Sequence, residues 1–401
     1  MKRSNPRPFR LRSAAVAATT LGLFVFAWIA NAPITHAEND FDAEEQSIAD
    51  YIHAGLRGGP VGGTGSACAS GSGAGSGNGS GNCYGSSGSA AGSSGGFASD
   101  TVGHGPPMSV WTTAFAYGLS HPDLAPPGAN DWHCEPSPRH PRPVVLLHGT
   151  WENAYNNFAY FSQPLADAGF CVFAFNFGRT GLPQGGGVVS VLPGANGNGY
   201  IQDSAVQLAG FVDRVLAATG AEEVDIIGHS QGGAMANWYT KFDGGAAKVG
   251  HLVSYGATHH GTTALGIGAL GRVINNAGID VIGFAELAVG HAAAQQVIGS
   301  DFLTRLNADG DTVPGVDYTV VATRYDQFNT NFDLTFLHPG PDATVRNIVL
   351  QDNCEQDLSD HLTMMYSPRA LSIALNALDP TGHPDLTCTF NPWLVGGDGH
   401  L

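Results

Sequence analysis

The chain has 401 residues, enough for one large domain or two modest ones. Its 34 acidic against 17 basic residues give a net charge of −17, which argues against nucleic acid or anionic lipid surfaces as partners. No C-x-x-C and no H-E-x-x-H occurs, so a structural or catalytic zinc is not expected.

Residues 1–37 read as a secretory signal peptide. Lys2, Arg3, Arg7, Arg10 and Arg12 form a basic head, Ala14 to Ile29 is uncharged and mostly apolar, and Thr35-His36-Ala37 offers a small-residue cleavage site. An uncleaved anchor is the alternative, because the apolar stretch is near the lower limit for spanning. Cleavage removes five positive charges and no acids, taking the net charge from −17 to −22. No other stretch is apolar and long enough to span a bilayer. The mature chain is expected to be secreted or retained at the cell surface, without a stable membrane span, and monomeric.

Residues 38–57 form an acidic N-terminal segment. The following stretch, 58–104, reads as a flexible linker: residues 58–96 hold 16 Gly and 10 Ser out of 39. A catalytic domain is expected over 105–395. The six cysteines (68, 83, 134, 171, 354, 388) are an even set in an exported chain, so disulfides are expected. Fifteen connectivities exist for six cysteines, with nearest-neighbour pairing preferred.

Within 105–395 strand and helix patterns alternate. Val144–Leu147 and Cys171–Phe175 read as buried strands. Ser204–Thr219 reads as a helix, with Ser204 and Gln207 as a capping box and Gly220 as its stop. The strand 224–227 runs into a tight corner at Ser230, followed by a helix to Phe242. Strands are expected at 251–255, 318–323 and 345–350, and a last helix at 368–377. Such alternation gives an α/β fold with a mostly parallel central sheet and helices on both faces.

The corner reads GHSQG. Gly228 and Gly232 flank Ser230 where a side chain would crowd the turn, the arrangement that exposes a nucleophilic serine at the N-terminus of a helix. Acyl transfer also needs oxyanion donors, a base and an acid. His148-Gly149-Thr150 directly follows the strand 144–147, so the Thr150 N–H, with that of Gln231, is the candidate oxyanion hole. Asp326 follows the strand 318–323, and His361 follows the last strand after Asp352, Asp357 and Asp360. The order Ser…Asp…His makes Asp326 the candidate acid and His361 the candidate base. Asp333 is a second carboxylate within sequence reach. His229, His259 and His260 lie close to Ser230 in sequence, where they could line a pocket.

From about residue 109 to 388 the chain resembles the secreted class 2 bacterial lipases. The stretches PRPVVLLHGTWEN, GFCVFAFNFG, VDIIGHSQGGAMANWY, FLTRLNADGDTVPGVDYTVVATRYD and NCEQDLSDHLTMMYSP carry the likeness, in the family's order. The resemblance implies an α/β-hydrolase fold, a Ser230–Asp326–His361 triad acting on acylglycerols and related esters, and disulfides Cys134–Cys171 and Cys354–Cys388. Past the acid the family usually continues Glu-x-Val-Thr-Pro-Tyr, whereas here the chain reads Gln327-Phe328-Asn329-Thr330-Asn331-Phe332. Residues 262–300 carry only Arg272, Asp280 and Glu286 as charges and read as an apolar cap insertion or as buried core helices. The expected function is hydrolysis of lipid carboxylic esters through an acyl-enzyme, chemistry that needs no metal or organic cofactor. The alternatives are a cell-envelope acyltransferase, another ester hydrolase, or a non-catalytic surface protein.

Overall fold

The computed structural model describes residues 97–263 and 289–397. The expected signal peptide, the acidic segment, the linker up to residue 96 with Cys68 and Cys83, and residues 264–288 of the expected cap lie outside the described residues.

The described chain begins in a strand, Phe97–Ser99 (β1), inside the stretch read as linker. A helix, Trp111–Ser120 (α1), then leads to Val144–Leu147 (β2). Two short helices, Ala154–Phe158 (α2) and Ser162–Asp167 (α3), precede Val172–Ala174 (β3) and Asn176–Arg179 (β4). Next come Ile201–Thr219 (α4), Val224–His229 (β5), Gln231–Phe242 (α5) and Val249–Tyr255 (β6). The second half holds His291–Gln295 (α6), Asp301–Leu306 (α7), Asp317–Ala322 (β7), Thr344–Val349 (β8) and Pro368–Leu378 (α8).

Six strands form one parallel sheet in the order β3-β2-β5-β6-β7-β8. β4 leaves that sheet and pairs antiparallel with β1, so the chain joins the fold upstream of residue 105. The edge strand β8 is partly exposed, but the inner strands are buried on both faces, which is why β2 is an unbroken apolar run rather than an alternating one. The pleat still divides it: Val145 and Leu147 pack with α4 and α5, and Val144 and Leu146 pack with α1, α2, α3 and α8.

Two local features decide how the ends are held. Helix α4 starts at Ile201, not at Ser204. Ser204 lies inside it with its hydroxyl donating to Tyr200 C=O (3.1 Å), and Gln207 accepts from the N–H of Gly178 (2.9 Å), so the expected capping box does not form. Its C-terminal stop is as expected, with Gly220 at φ +69° closing onto Leu216 C=O. Helix α8 has Ser367 as its N-cap, accepting from the Ala370 N–H, and Pro368 in the first turn, where no donor is lost. Two disulfides form, Cys134–Cys171 and Cys354–Cys388. The first fastens the segment before β2 to the start of β3. The second fastens the loop after β8 to the segment after α8.

Candidate active site

The carboxyl ends of β2, β5, β7 and β8 converge on one place, as expected for open parallel sheets. Ser230 follows β5 without an intervening residue. Its backbone is at φ +53°, ψ −122°, a conformation L residues rarely adopt and one that costs on the order of 1–3 kcal/mol. The surroundings hold it there. The Ser230 N–H donates to Tyr255 C=O (2.8 Å), and glycines remove the obstacles on either side. A Cβ on Gly228 would lie 2.6 Å from the Gly233 nitrogen, and one on Gly232 would run into the carbonyl oxygens of Leu147 and His148. β5, β2 and α5 can therefore meet only with glycine at these positions.

His361 lies in the loop after β8. Ser230 Oγ–H donates to His361 Nε2 (3.0 Å), and His361 Nδ1–H donates to Asp326 Oδ2 (2.9 Å). A carboxylate can only accept, so the second bond fixes the proton on Nδ1 and leaves Nε2 free to take the serine proton. All three side chains are buried. Burial lowers the imidazole pKa, but the Asp326 charge and hydrogen bond, with Glu152 and Asp360 farther off, outweigh it and raise the His361 pKa above its ordinary value.

Asp326 is itself pinned. Its Oδ1 accepts from the backbone N–H groups of Phe328 (2.9 Å) and Asn329 (2.6 Å). Asn329 Nδ2 donates to Gly256 C=O (2.8 Å) and to Asp326 Oδ2 (3.3 Å), while Gln327 Oε1 accepts the His361 N–H (3.0 Å). The segment that departs from the class 2 lipase pattern thus supplies the support of the acid and of the histidine backbone. Asp333 is exposed in a short 3-10 turn and does not reach His361. Asp352 pairs with Arg324 at the surface (2.8 Å). Asp357 and Asp360 are buried and serve as loop anchors. Asp360 accepts from the N–H groups of Leu362 and Thr363 (both 2.9 Å) and Leu394 (2.8 Å), and Asp357 from Ser359 N–H (2.9 Å) and Ser367 Oγ (2.6 Å).

Thr150 and Gln231 come together. Thr150 Oγ1–H donates to Gln231 Oε1 (2.9 Å) and accepts from Gln296 Nε2 (2.8 Å), so the loop after β2, the start of α5 and the segment after α6 are tied. A Cβ on Gly149 would stand 3.3 Å from that of Ser230, which shows how closely this loop approaches the serine. His148 is a supporting ring. It stacks on Phe177 (3.9 Å), donates from Nδ1 to Gly149 C=O (2.8 Å) and accepts at Nε2 from the Phe177 N–H (3.3 Å). Burial lowers its pKa to about 4, so it stays neutral and keeps both bonds.

A second histidine–carboxylate pair lies behind the Ser230–His361–Asp326 relay, and sequence reasoning missed it. His229 Nε2–H donates to the carbonyl of His361 (2.8 Å), and His229 Nδ1 meets Glu152 Oε2 (3.1 Å). Glu152 lies 77 residues before His229 and is buried. The only sequence signal is a charged residue two positions after the HGT turn that ends an apolar strand. Of the three histidines near Ser230 in sequence, none faces the reacting atoms. His229 sits behind them. His259 is fully buried, bonded to Ser254 Oγ (3.1 Å) and lowered by burial to about 3. His260 turns away to Asp311.

A small apolar cluster follows Thr150 in the chain: Trp151, Val189 and Ala195 are buried together, with Leu192, Val289 and Ala293 packed against them, and Val188 and Val191 are exposed.

A family model described as alpha/beta hydrolase fold matches residues 142–308. Among solved structures, the chain is similar to lipase B of Aspergillus fumigatus, at 18% identity and a TM-score of 0.48, over 65% of this chain and 56% of that one. It therefore spans little more than half the length of that fungal protein. It is similar to a monoacylglycerol lipase of Paleococcus ferrophilus (19% identity, TM-score 0.35, 52% of this chain and 86% of that one). It is also similar to a mature Bacillus licheniformis lipase (13% identity, TM-score 0.42, 61% and 94%). The fold assignment rests on the sheet order and the matched family model.

Proposed function

From the premise that the chain has the α/β-hydrolase fold, we propose that it is a serine hydrolase of carboxylic esters, with lipid esters as its substrates. The observation that carries this reading is the unbroken relay from Ser230 Oγ through His361 to Asp326, with a proton disposition that suits base catalysis. His361 Nε2 takes the serine proton as Oγ attacks the ester carbonyl. Asp326 keeps the imidazole in the reactive tautomer and stabilises its charged form. The Thr150 and Gln231 N–H groups take the oxyanion; Gln231 is the first residue of α5, where no carbonyl within the helix claims its N–H. His361 then gives its proton to the departing alcohol. Water, deprotonated by the same ring, releases the acid and restores Ser230.

The resemblance to the class 2 bacterial lipases, carried by VDIIGHSQGGAMANWY and its companion stretches, supports lipid esters as the substrate class. Two disulfides and the leader-like N-terminus support action outside the cell. Among the described residues no helix is long and apolar enough to cross a membrane.

The test is hydrolysis of p-nitrophenyl esters of increasing chain length, with and without an acceptor alcohol. Free acid as the main product, and rates that hold or rise beyond short acyl chains, is the expected result. Ester product dominating in the presence of the acceptor makes the protein an acyltransferase, and no turnover of any ester refutes the reading.

A further inference from the structure

His260, Asp311 and His338 come from three separate loops: after β6, between α7 and β7, and before β8. Their ligating atoms all lie within 4.8 Å of one another. His260 Nε2 is 3.1 Å from Asp311 Oδ1, and His338 Nδ1 is 2.9 Å from Asp311 Oδ2. For a tetrahedral cation with bonds of about 2.0–2.1 Å, neighbouring ligand atoms stand roughly 3.3 Å apart. Each imidazole already stands near that spacing from one carboxylate oxygen, His260 from Oδ1 and His338 from Oδ2.

The proton disposition points the same way. His260 Nδ1 is 3.1 Å from Leu334 C=O, and a carbonyl only accepts, so Nδ1 carries the proton. In the neutral ring Nε2 is then a bare lone pair, and it faces a carboxylate oxygen. Two acceptors at that distance need a cation between them, either a proton or a metal. A ring N–H anchored on a backbone carbonyl is the usual outer support of a metal-binding histidine. Asp311 is anchored likewise: Oδ2 accepts the His338 N–H (2.8 Å), and its backbone carbonyl accepts from Asn237 Nδ2 of α5 (3.0 Å). Asp311 is buried and His260 partly so, while the His338 side chain is exposed and leaves a solvent side for a fourth ligand.

We propose that His260, Asp311 and His338 bind a divalent zinc-class cation that clamps the loop carrying the acid to the body of the domain. Two imidazoles and one carboxylate suit zinc, cobalt or nickel; calcium and magnesium take oxygen donors. The site lies apart from the triad. Its His338 ends the segment that begins at Asp326. In that segment Asn329 bonds Gly256 C=O and Thr335 bonds Ala257 C=O, so a cation there fastens the far end of the segment that holds Asp326. The three residues are widely spaced in the chain, which is why no ligand motif is visible in the sequence.

The experiment uses the full chain, purified without a polyhistidine tag and stripped with chelator. ZnCl2 is titrated at pH 7.5, and bound metal is counted after gel filtration alongside the thermal unfolding midpoint. The expected result is one zinc per chain with micromolar or tighter affinity, and a midpoint that rises with zinc. Cobalt(II) in its place should show the intense visible bands of a four-coordinate site. His338→Ala, at an exposed position, should leave the metal-free midpoint unchanged and weaken zinc by at least about tenfold. His260→Gln should do the same to affinity. A chain that takes up no zinc, as when a proton bridges the pair, overturns the proposal. So does zinc that binds equally well in both variants.

Discussion

Replacing Asp326 with asparagine tests the least redundant contact of the site. Asp326 Oδ1 accepts two backbone N–H groups, from Phe328 and Asn329. An amide must keep its oxygen there, because turning its NH2 group toward two donors leaves all of them unpaired. The NH2 group is thereby forced into the Oδ2 position, facing His361 Nδ1, now 2.9 Å from Oδ2. It can only donate, so Nδ1 must become the acceptor and the ring proton moves to Nε2. That nitrogen then cannot take the proton of Ser230. The wrong tautomer lowers kcat by about 10⁴, or roughly 5.5 kcal/mol of transition-state stabilisation. Asp333→Asn, at an exposed turn, should leave kcat within about twofold, the usual behaviour of surface substitutions away from the site. The assay is kcat on a short p-nitrophenyl ester for both variants, with circular dichroism to show that each folds. If Asp333→Asn is the crippled one, or Asp326→Asn keeps more than about a tenth of the rate, the tautomer argument is wrong.

Three further outcomes follow from named contacts. The His361 pKa is raised, so kcat/KM should fall on the acid side with an apparent pKa above the ordinary ~6.5; Glu152→Gln removes one of the charges that raise it and should move that limb to lower pH. Serine at both Cys354 and Cys388, residues 34 apart, should lower unfolding free energy in urea by about 3–4 kcal/mol and loosen the loop that carries His361. Gly232→Ala puts a methyl group against the Leu147 and His148 carbonyls, and should yield insoluble protein or a folded one with no measurable turnover, read by soluble yield and esterase rate.

The sequence made the site readable where the determining physics is local. A β-branched run, two glycines and a helical pattern define the Ser230 corner within a few residues. His361 and Asp326 are readable from their places after the last two strands of the sheet. What was not readable depends on partners far along the chain. Ser204 and Gln207 have the spacing of a capping box, yet Gln207 is taken by the Gly178 N–H and α4 starts a turn earlier. β1 lies in a Gly- and Ser-rich stretch, and its pairing depends on β4, which lies past the end of the strand expected at Cys171–Phe175. The Glu152–His229 pair spans 77 residues, and neither member carries a motif that names the other. Gln327 and Asn329 stand where the chain departs from the class 2 lipase pattern, and only the folded loop shows that they hold Asp326 and His361.

The central claim is that Ser230 attacks the ester carbonyl, and covalent trapping tests it most directly. The folded protein is treated with a fluorophosphonate, weighed intact and mapped by peptide. The account predicts one adduct per chain, on Ser230, formed in step with loss of esterase activity and absent from Ser230→Ala. Esterase activity that survives full labelling of Ser230, or that persists in Ser230→Ala, contradicts it.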